Sequence, residues 1–306
     1  MTQLTESAKL TENADMKKFI SFKAGGSALA LLEVNDKKDL AEALRFTTEK
    51  NIPHIVIGNG SNTLFKDGIY EGLVIRLGEG FANIDISSAK QDEEENNSDC
   101  VLVECGTAVL MSSLARRLLQ ESVTGFEFAS GIPGSLGGAL FMNAGAYGGE
   151  MKDLVEEVRT VSSDGAAEKI FSADEMKFRY RGSVLQENGY IATSVILRLK
   201  KGKYDEINNL MKELAARRNS KQPVSYASAG STFKRPEGYF AGKLIEDAGL
   251  KGLTVGGAQV STLHSGFVIN LGDATATDIL QLISLIQNTV YDKFGVKLEP
   301  EVRIIG

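Results

Sequence analysis

Residues 128–149 carry no charged side chain, yet they include seven glycines, Pro133 and Asn143. The run is close to the roughly 20 apolar residues that a membrane helix needs. Glycine and proline at this density make a poor lipid-facing helix, so a buried glycine-rich segment is expected instead. A fold that accepts such a segment brings main chain close to something. That something is either the protein's own chain or a flat or phosphorylated ligand that side chains would exclude. Ser130, Ser135, Asn143 and Tyr147 lie among the glycines, and this mixture favours a ligand cradle over internal packing alone.

The remainder of the chain narrows the setting. Its 306 residues suggest about two domains. The balance of 34 basic against 40 acidic side chains, a net charge of −6, suits neither nucleic acid nor an anionic membrane surface, although a local basic pocket for a phosphorylated small molecule stays open. Two cysteines (Cys100, Cys105) and two histidines (His54, His264) exclude a disulfide framework and most zinc spacings, so no metal site is expected. The polar start, MTQLTESAKLTENADMKKF, does not read as a signal peptide, and the cytoplasm is the default location.

Periodicity predicts a helix over 37–49 with Asn35 or Asp36 as its cap, strands at 52–57, 72–77 and 101–104, and a helix over 110–120. Residues 1–15 read as a flexible tail and the acidic block 90–99 as a solvated loop. A β-rich stretch follows over 155–199, with a hairpin signal at 162–165. A boundary is expected near 200–203, then a helix over 205–218, a short helix at 241–250, a strand near 267–270 and a helix over 277–294 capped by Asp273 or Thr275. The pattern argues for an α/β or α+β chain of two to three subdomains.

Several short segments could carry chemistry. GNGSNTL at 58–64 follows a strand, and its glycines with Ser61 and Asn62 suit either an anion-facing turn or a plain glycine turn. It is neither a Walker A loop nor a GxGxxG fingerprint. FRYRGS at 178–183 places Tyr180 beside Arg181, as a surface patch or as a bidentate anion holder in a closed site. In 217–236, Lys221, Ser231, Lys234 and Arg235 could face a phosphate-bearing ligand. No G-x-S-x-G motif supports a serine nucleophile, which leaves Ser231 as a loop hydrogen-bonder or a proton donor. Glu299 and Glu301 read as exposed strand residues, or one of them as a carboxylate returning to a site. His264 alone reads as a satisfied core or loop histidine.

In order along the chain, SFKAGGSA, GNGSNTLFKDGIYEGLVI, SGIPGSLGGALFMNAGAYG, YRGS, AGSTFKRPEGYFAGKLIEDAGLKG and LEPEVRIIG resemble the family of UDP-N-acetylenolpyruvoylglucosamine reductases, in its shorter, type II form. The resemblance runs from about Phe22 to Gly306. It implies an α+β fold: an FAD-binding fold of the vanillyl-alcohol-oxidase type, made of two α+β subdomains at 16–80 and 81–202, after a flexible tail at 1–15. A C-terminal α+β substrate-binding domain would span 203–298, and a terminal strand at 299–306 would return to the active site. It implies FAD and NADPH as cofactors and a UDP-N-acetylglucosamine enolpyruvate substrate in cell-wall precursor synthesis, with the enzyme acting as a monomer.

By the same resemblance, Arg181 would stabilise the enolate-like anion, Ser231 would deliver a proton to C2, and Glu301 would orient the site or assist that transfer. FAD would be held by Gly58, Asn59, Gly60, Ser61 and Asn62, by Gly125, Ser130, Gly131, Ile132, Pro133, Gly134, Ser135, Gly137, Gly138, Asn143, Ala144 and Gly145, and by Ile191 and Arg218. Substrate contacts would fall to Tyr180, Lys221, Lys234, Arg235, Lys251 and His264. Arg235 stands where the family usually has asparagine, and Gly266 where asparagine is common. An oxidase or dehydrogenase on the same flavin fold, or a non-catalytic sensor, are the competing readings. The joint presence of Arg181, Ser231 and Glu301 speaks against the sensor.

Overall fold

A computed structural model describes residues 7–88 and 99–306. The first residues of the expected tail, and all of the acidic block but Asp99, lie outside these. The chain divides into two compact units. Among the described residues, the first takes in 7–10, 31–59, 73–88 and 99–217; the second takes in 11–30, 60–72 and 218–306. The expected boundary at 202/203 lies just ahead of the helix Tyr204–Lys221, within which the two units divide; a continuous amphipathic helix gives no sequence sign of a division within it. The expected tail is corrected, because Lys9–Asp15 is a β-strand.

The first unit is built on an antiparallel sheet in the order Glu168–Ser172, Val155–Val161, Ile191–Lys201, Cys100–Gly106, Ile84–Ser88. Alternating residues of its strands, among them Val103, Cys105, Val195 and Leu197, are fully buried. The helix Met111–Gln120 adds Leu114 and Leu118 at helical spacing to the same core, and the apolar area removed from water there is the main driving force for this layer. Cys105 is buried in this core, and burial, with the charge of Glu104, pushes its thiol up to about 12. The predicted helix at 37–49 forms as Lys37–Glu49, and Asp36 caps it by accepting from the Asp39 amide at 2.7 Å. Strand His54–Ile57 pairs in parallel with Leu73–Arg76 and delivers the chain to Gly58.

The second unit carries a small sheet in the order Ala227–Ser228, Val268–Asn270, Ala258–Val260, Thr254–Val255, packed against the helix Ala276–Phe294. Ile279, Leu282, Ile283, Ile286 and Val290 line the buried stripe of that helix. Thr275 and Asp278 form a reciprocal capping box, so Thr275 and not Asp273 is the cap. Gly295 at φ +68° ends the helix. The last strand is shorter than the terminal segment expected at 299–306: Arg303–Ile305 pairs in parallel with Thr63–Phe65.

Asp67 supplies a second cap to the 276–294 helix, accepting from the Ala276 amide at 3.0 Å and the Thr277 amide at 2.8 Å. Burial alone would raise this carboxyl. The Thr277 hydroxyl, the Thr277 and Ala276 amides and the nearby Lys17 charge outweigh it and hold the group below its ordinary 3.8. A lowered folded value means that the carboxylate stabilises the fold above the unfolded value and loses that contribution as pH falls through the folded one. Asp67→Asn is therefore expected to reduce stability at pH 7 by about 1 kcal/mol. The gap to wild type should close as pH drops below 3.8, read by urea denaturation at a series of pH values.

Candidate active site

In the first unit the glycine-rich segment folds back between the helix Leu136–Met142 and the turn at 145–150. Its glycines divide into two groups. A side chain at Gly137 would press on Thr107, at Gly145 on the Gly149 carbonyl, and at Gly149 on the Phe128 ring. The amides of Gly137 and Ala144 are donated to Thr107 and Ala139 carbonyls, each at 2.8 Å. These positions serve packing of chain on chain.

The second group faces outward. A Cβ at Gly138 would meet only Ser135 Oγ, at 3.8 Å, and a Cβ at Gly58 would collide with that same oxygen. Ser135 is 5% exposed, and its hydroxyl has no protein partner among the described residues. A buried hydroxyl left unbonded costs about 1–3 kcal/mol. Flanked by two glycines, it fits a polar group of a bound cofactor. Gly58, Ser135 and Gly138 are thus the part of the expected FAD set that the structure brings together with room for one.

Other members of that set are committed elsewhere. Gly125, at φ +111°, gives its amide to Glu127 Oε2 at 2.8 Å, and Ser130 gives its hydroxyl to the Glu127 carbonyl. Ile132 packs on the core, and Ile191 begins a sheet strand. Gly131, Pro133 and Gly134 lie in the loop that leads to Ser135, where the Gly134 carbonyl accepts from Met111.

Asn143 departs furthest from expectation. It is 0% exposed and sits at φ +43° as the C-cap of Leu136–Met142. Its amide nitrogen donates to Glu150 Oε2 at 3.0 Å and to the Arg179 carbonyl at 3.1 Å, while its oxygen accepts from the Lys152 amide at 2.9 Å. With donors and acceptor engaged by its own chain, this side chain braces the loop. The Lys152 ammonium, then Asn143 and the charge of Arg181, hold the Glu150 carboxyl low against the opposing effect of burial.

The Arg179 carbonyl belongs to a tight turn. Arg179 and Gly182 exchange both backbone hydrogen bonds, at 2.9 and 3.0 Å, so Tyr180 and Arg181 occupy its two corners. Arg181 has φ +54°, a corner that normally takes glycine or asparagine. Its guanidinium lies over the Tyr180 ring, 5.1 Å from the centroid. Nearby, Tyr147 donates to the Leu214 carbonyl and carries Arg217 over its ring.

In the second unit Gly60 adopts φ +63°, and any side chain there would strike the Phe19 carbonyl and Ile20. Half-buried Ser61 follows. The Asn62 amide donates to the Glu301 carbonyl at 3.0 Å, and the Asn62 carbonyl accepts from Arg303 at 3.0 Å. The side chain of Asn62 therefore clips the loop to the chain terminus.

Ser231 is exposed and precedes a short antiparallel pairing: the Glu301 amide donates to the Thr232 carbonyl at 2.8 Å, Phe233 bridges Pro300, and the Lys234 amide donates to the Glu299 carbonyl. Ser231 and Glu301, seventy positions apart in sequence, thus flank one backbone hydrogen bond. Glu299, the other candidate carboxylate, is ion-paired with Lys234.

The remaining substrate candidates are engaged by neighbours of their own chain or lie at its surface. Lys251 pairs with Glu246 at 2.9 Å. Arg235 stacks on Phe240 at 4.0 Å from the ring centroid. Lys221 is exposed near the end of its helix, where Arg218, a member of the expected FAD set, is half-buried. His264 accepts from the Gly266 amide through Nδ1 at 3.1 Å and meets Phe267 edge-on. Burial lowers its basicity, as for a loop histidine satisfied by its surroundings. Glu127, Glu150 and Gln186, which hold these loops, drew no attention in the sequence: single carboxylates and amides without a motif give no signal until the fold supplies their partners.

Comparison with known proteins bears on all of these segments. A model of the UDP-N-acetylenolpyruvoylglucosamine reductase C-terminal domain matches residues 222–305, and a model of the FAD binding domain matches 28–170. The chain is 51% identical over 291 residues to the UDP-N-acetylenolpyruvoylglucosamine reductase of Clostridioides difficile, covering 95% of this chain and 91% of that one. It is 45% identical to the protein of the same name from Caldanaerobacter subterraneus, covering 100% and 97%. Among solved structures it resembles the UDP-N-acetylenolpyruvylglucosamine reductase of Thermus caldophilus, with a TM-score of 0.80 at 33% identity, over 98% of this chain and 99% of that one.

Proposed function

The chain belongs to the UDP-N-acetylenolpyruvoylglucosamine reductase family, and from that premise we propose that NADPH is its reductant and that Arg181, Ser231 and Glu301 act on the enolpyruvyl group. The protein is an FAD-dependent oxidoreductase of peptidoglycan precursor synthesis, with an FAD-binding domain and a small nucleotide-sugar substrate. When bound and reduced by NADPH, the flavin would supply the hydride that adds to C3 of the enolpyruvyl double bond. The protein's own task is the charge that this addition leaves on C2 and the carboxylate.

Arg181 holds that anion. A guanidinium pairs with a carboxylate through two parallel hydrogen bonds and stabilises charge as it builds. Ser231 gives its hydroxyl proton to C2, completing the saturated product. Serine is a weak acid in water, and it donates here because the carbanion-like species is far more basic. Glu301 orients this transfer. The observation that carries the reading is the Thr232–Glu301 hydrogen bond, which ties the main chain after Ser231 to Glu301 itself. The enzyme acts as a monomer in the cytoplasm on this reading.

Freshly purified protein should absorb near ~450 nm, as oxidised flavin does. It should oxidise NADPH over many turnovers only when UDP-N-acetylglucosamine enolpyruvate is present. Fast reaction of the reduced protein with oxygen, together with indifference to the nucleotide sugar, would assign an oxidase instead.

A further inference from the structure

We propose that Gln186 is a positioning residue for the reaction, holding the Tyr180–Arg181 turn in the left-handed conformation from which the Arg181 guanidinium works; this rests on the function proposed above. A non-glycine residue at φ +54° is held there by something, because the left-handed region disfavours a side chain by roughly 1–2 kcal/mol. The closing hydrogen bonds between Arg179 and Gly182 fix the ends of the turn. One of them holds the Gly182 amide, in the peptide that follows Arg181.

Gln186 supplies the restraint. Its Nε2 donates to the Arg181 carbonyl at 3.1 Å and to the Phe141 carbonyl at 3.1 Å. The first bond gives the peptide that follows Arg181 a second anchor, on its carbonyl, beside the closing bond from its Gly182 amide. The second ties that peptide to the end of the helix Leu136–Met142, the helix that begins next to Ser135. Ser183 reinforces the same attachment by donating to the Phe141 carbonyl at 3.0 Å, and buried Asn143 holds the other side of the turn at the Arg179 carbonyl. The turn is thus referenced at two points to the segment that carries Ser135 and Gly138. Gln186 itself is exposed, so the position can be changed without opening the core.

Gln186→Met keeps the length of the side chain and removes both donors. The crystal structure of this variant should show Arg181 leaving φ +54° for an ordinary negative value. Its kcat/KM for the enolpyruvyl nucleotide should fall by about 10- to 100-fold, the effect expected of a displacement of about 1 Å at a reacting group. Its melting temperature should stay within about 3 °C of wild type, as for a surface change. In an Arg181→Lys background the same substitution should cost less than about twofold, because a residue that acts through Arg181 has little left to position.

The proposal is overturned if Arg181 keeps its conformation in the variant, or if the loss multiplies in full with that of Arg181→Lys. A wild-type protein that turned over no enolpyruvyl nucleotide would refute the proposed function, while the crystal structure of the variant would still decide what Gln186 does.

Discussion

Ser231→Ala is expected to leave reduction of the bound flavin by NADPH at its wild-type rate while product formation falls by about 10³-fold or more. General acid catalysis contributes about 10²–10⁴ in rate, and no water placed by chance matches a fixed hydroxyl. The substitution is clean on structural grounds. Ser231 is exposed, whereas its neighbour Thr232 is buried and its hydroxyl accepts from the Val268 amide at 2.9 Å. Thr232→Ala would damage the fold; Ser231→Ala removes one oxygen at the surface. Stopped-flow measurement of the two half-reactions separates the effects, since only the step that consumes the enolpyruvyl nucleotide needs the proton. Equal rates for both half-reactions in the variant and in wild type would move the proton donor elsewhere.

Much of the architecture could be read from local signals. Asp36 before Lys37–Glu49, and Thr275 with Asp278 before Ala276–Phe294, are caps that act within four residues, so a linear reading finds them. The strand Lys9–Asp15 escaped because KLTENAD is polar and largely exposed; its pairing with the neighbouring strand, not its composition, makes it a strand. The glycine-rich segment shows the same limit within the site. Gly137 packs on Thr107 and Gly138 faces open space, yet the two are adjacent and identical in sequence. The bracing role of Asn143 was not legible because its partners, the Arg179 carbonyl and Glu150, belong to segments that no motif links to it. Side-chain type revealed which residues are able to bind an anion, but only the fold revealed which already bind their own chain.

Arg181→Gly is expected to make the protein more stable and nearly inactive. The left-handed region costs a side-chain-bearing residue roughly 1–2 kcal/mol and glycine almost nothing, while glycine's freedom in the unfolded chain takes back about 0.5–1 kcal/mol. The balance is a gain on the order of 0.5–1 kcal/mol, reduced a little by loss of the Tyr180 stacking seen at 5.1 Å. Turnover should nevertheless drop by about 10³-fold or more, the scale of removing a preorganised donor to a developing anion. Opposite movement of stability and activity is the mark of strain retained for function. Arg181→Ala separates the two causes. It keeps a Cβ in the left-handed corner and loses the charge, so it should lose turnover without the gain in stability. Denaturant titration of the three proteins reads the stability arm. A glycine variant no more stable than the alanine one would mean that the corner at φ +54° carries no strain.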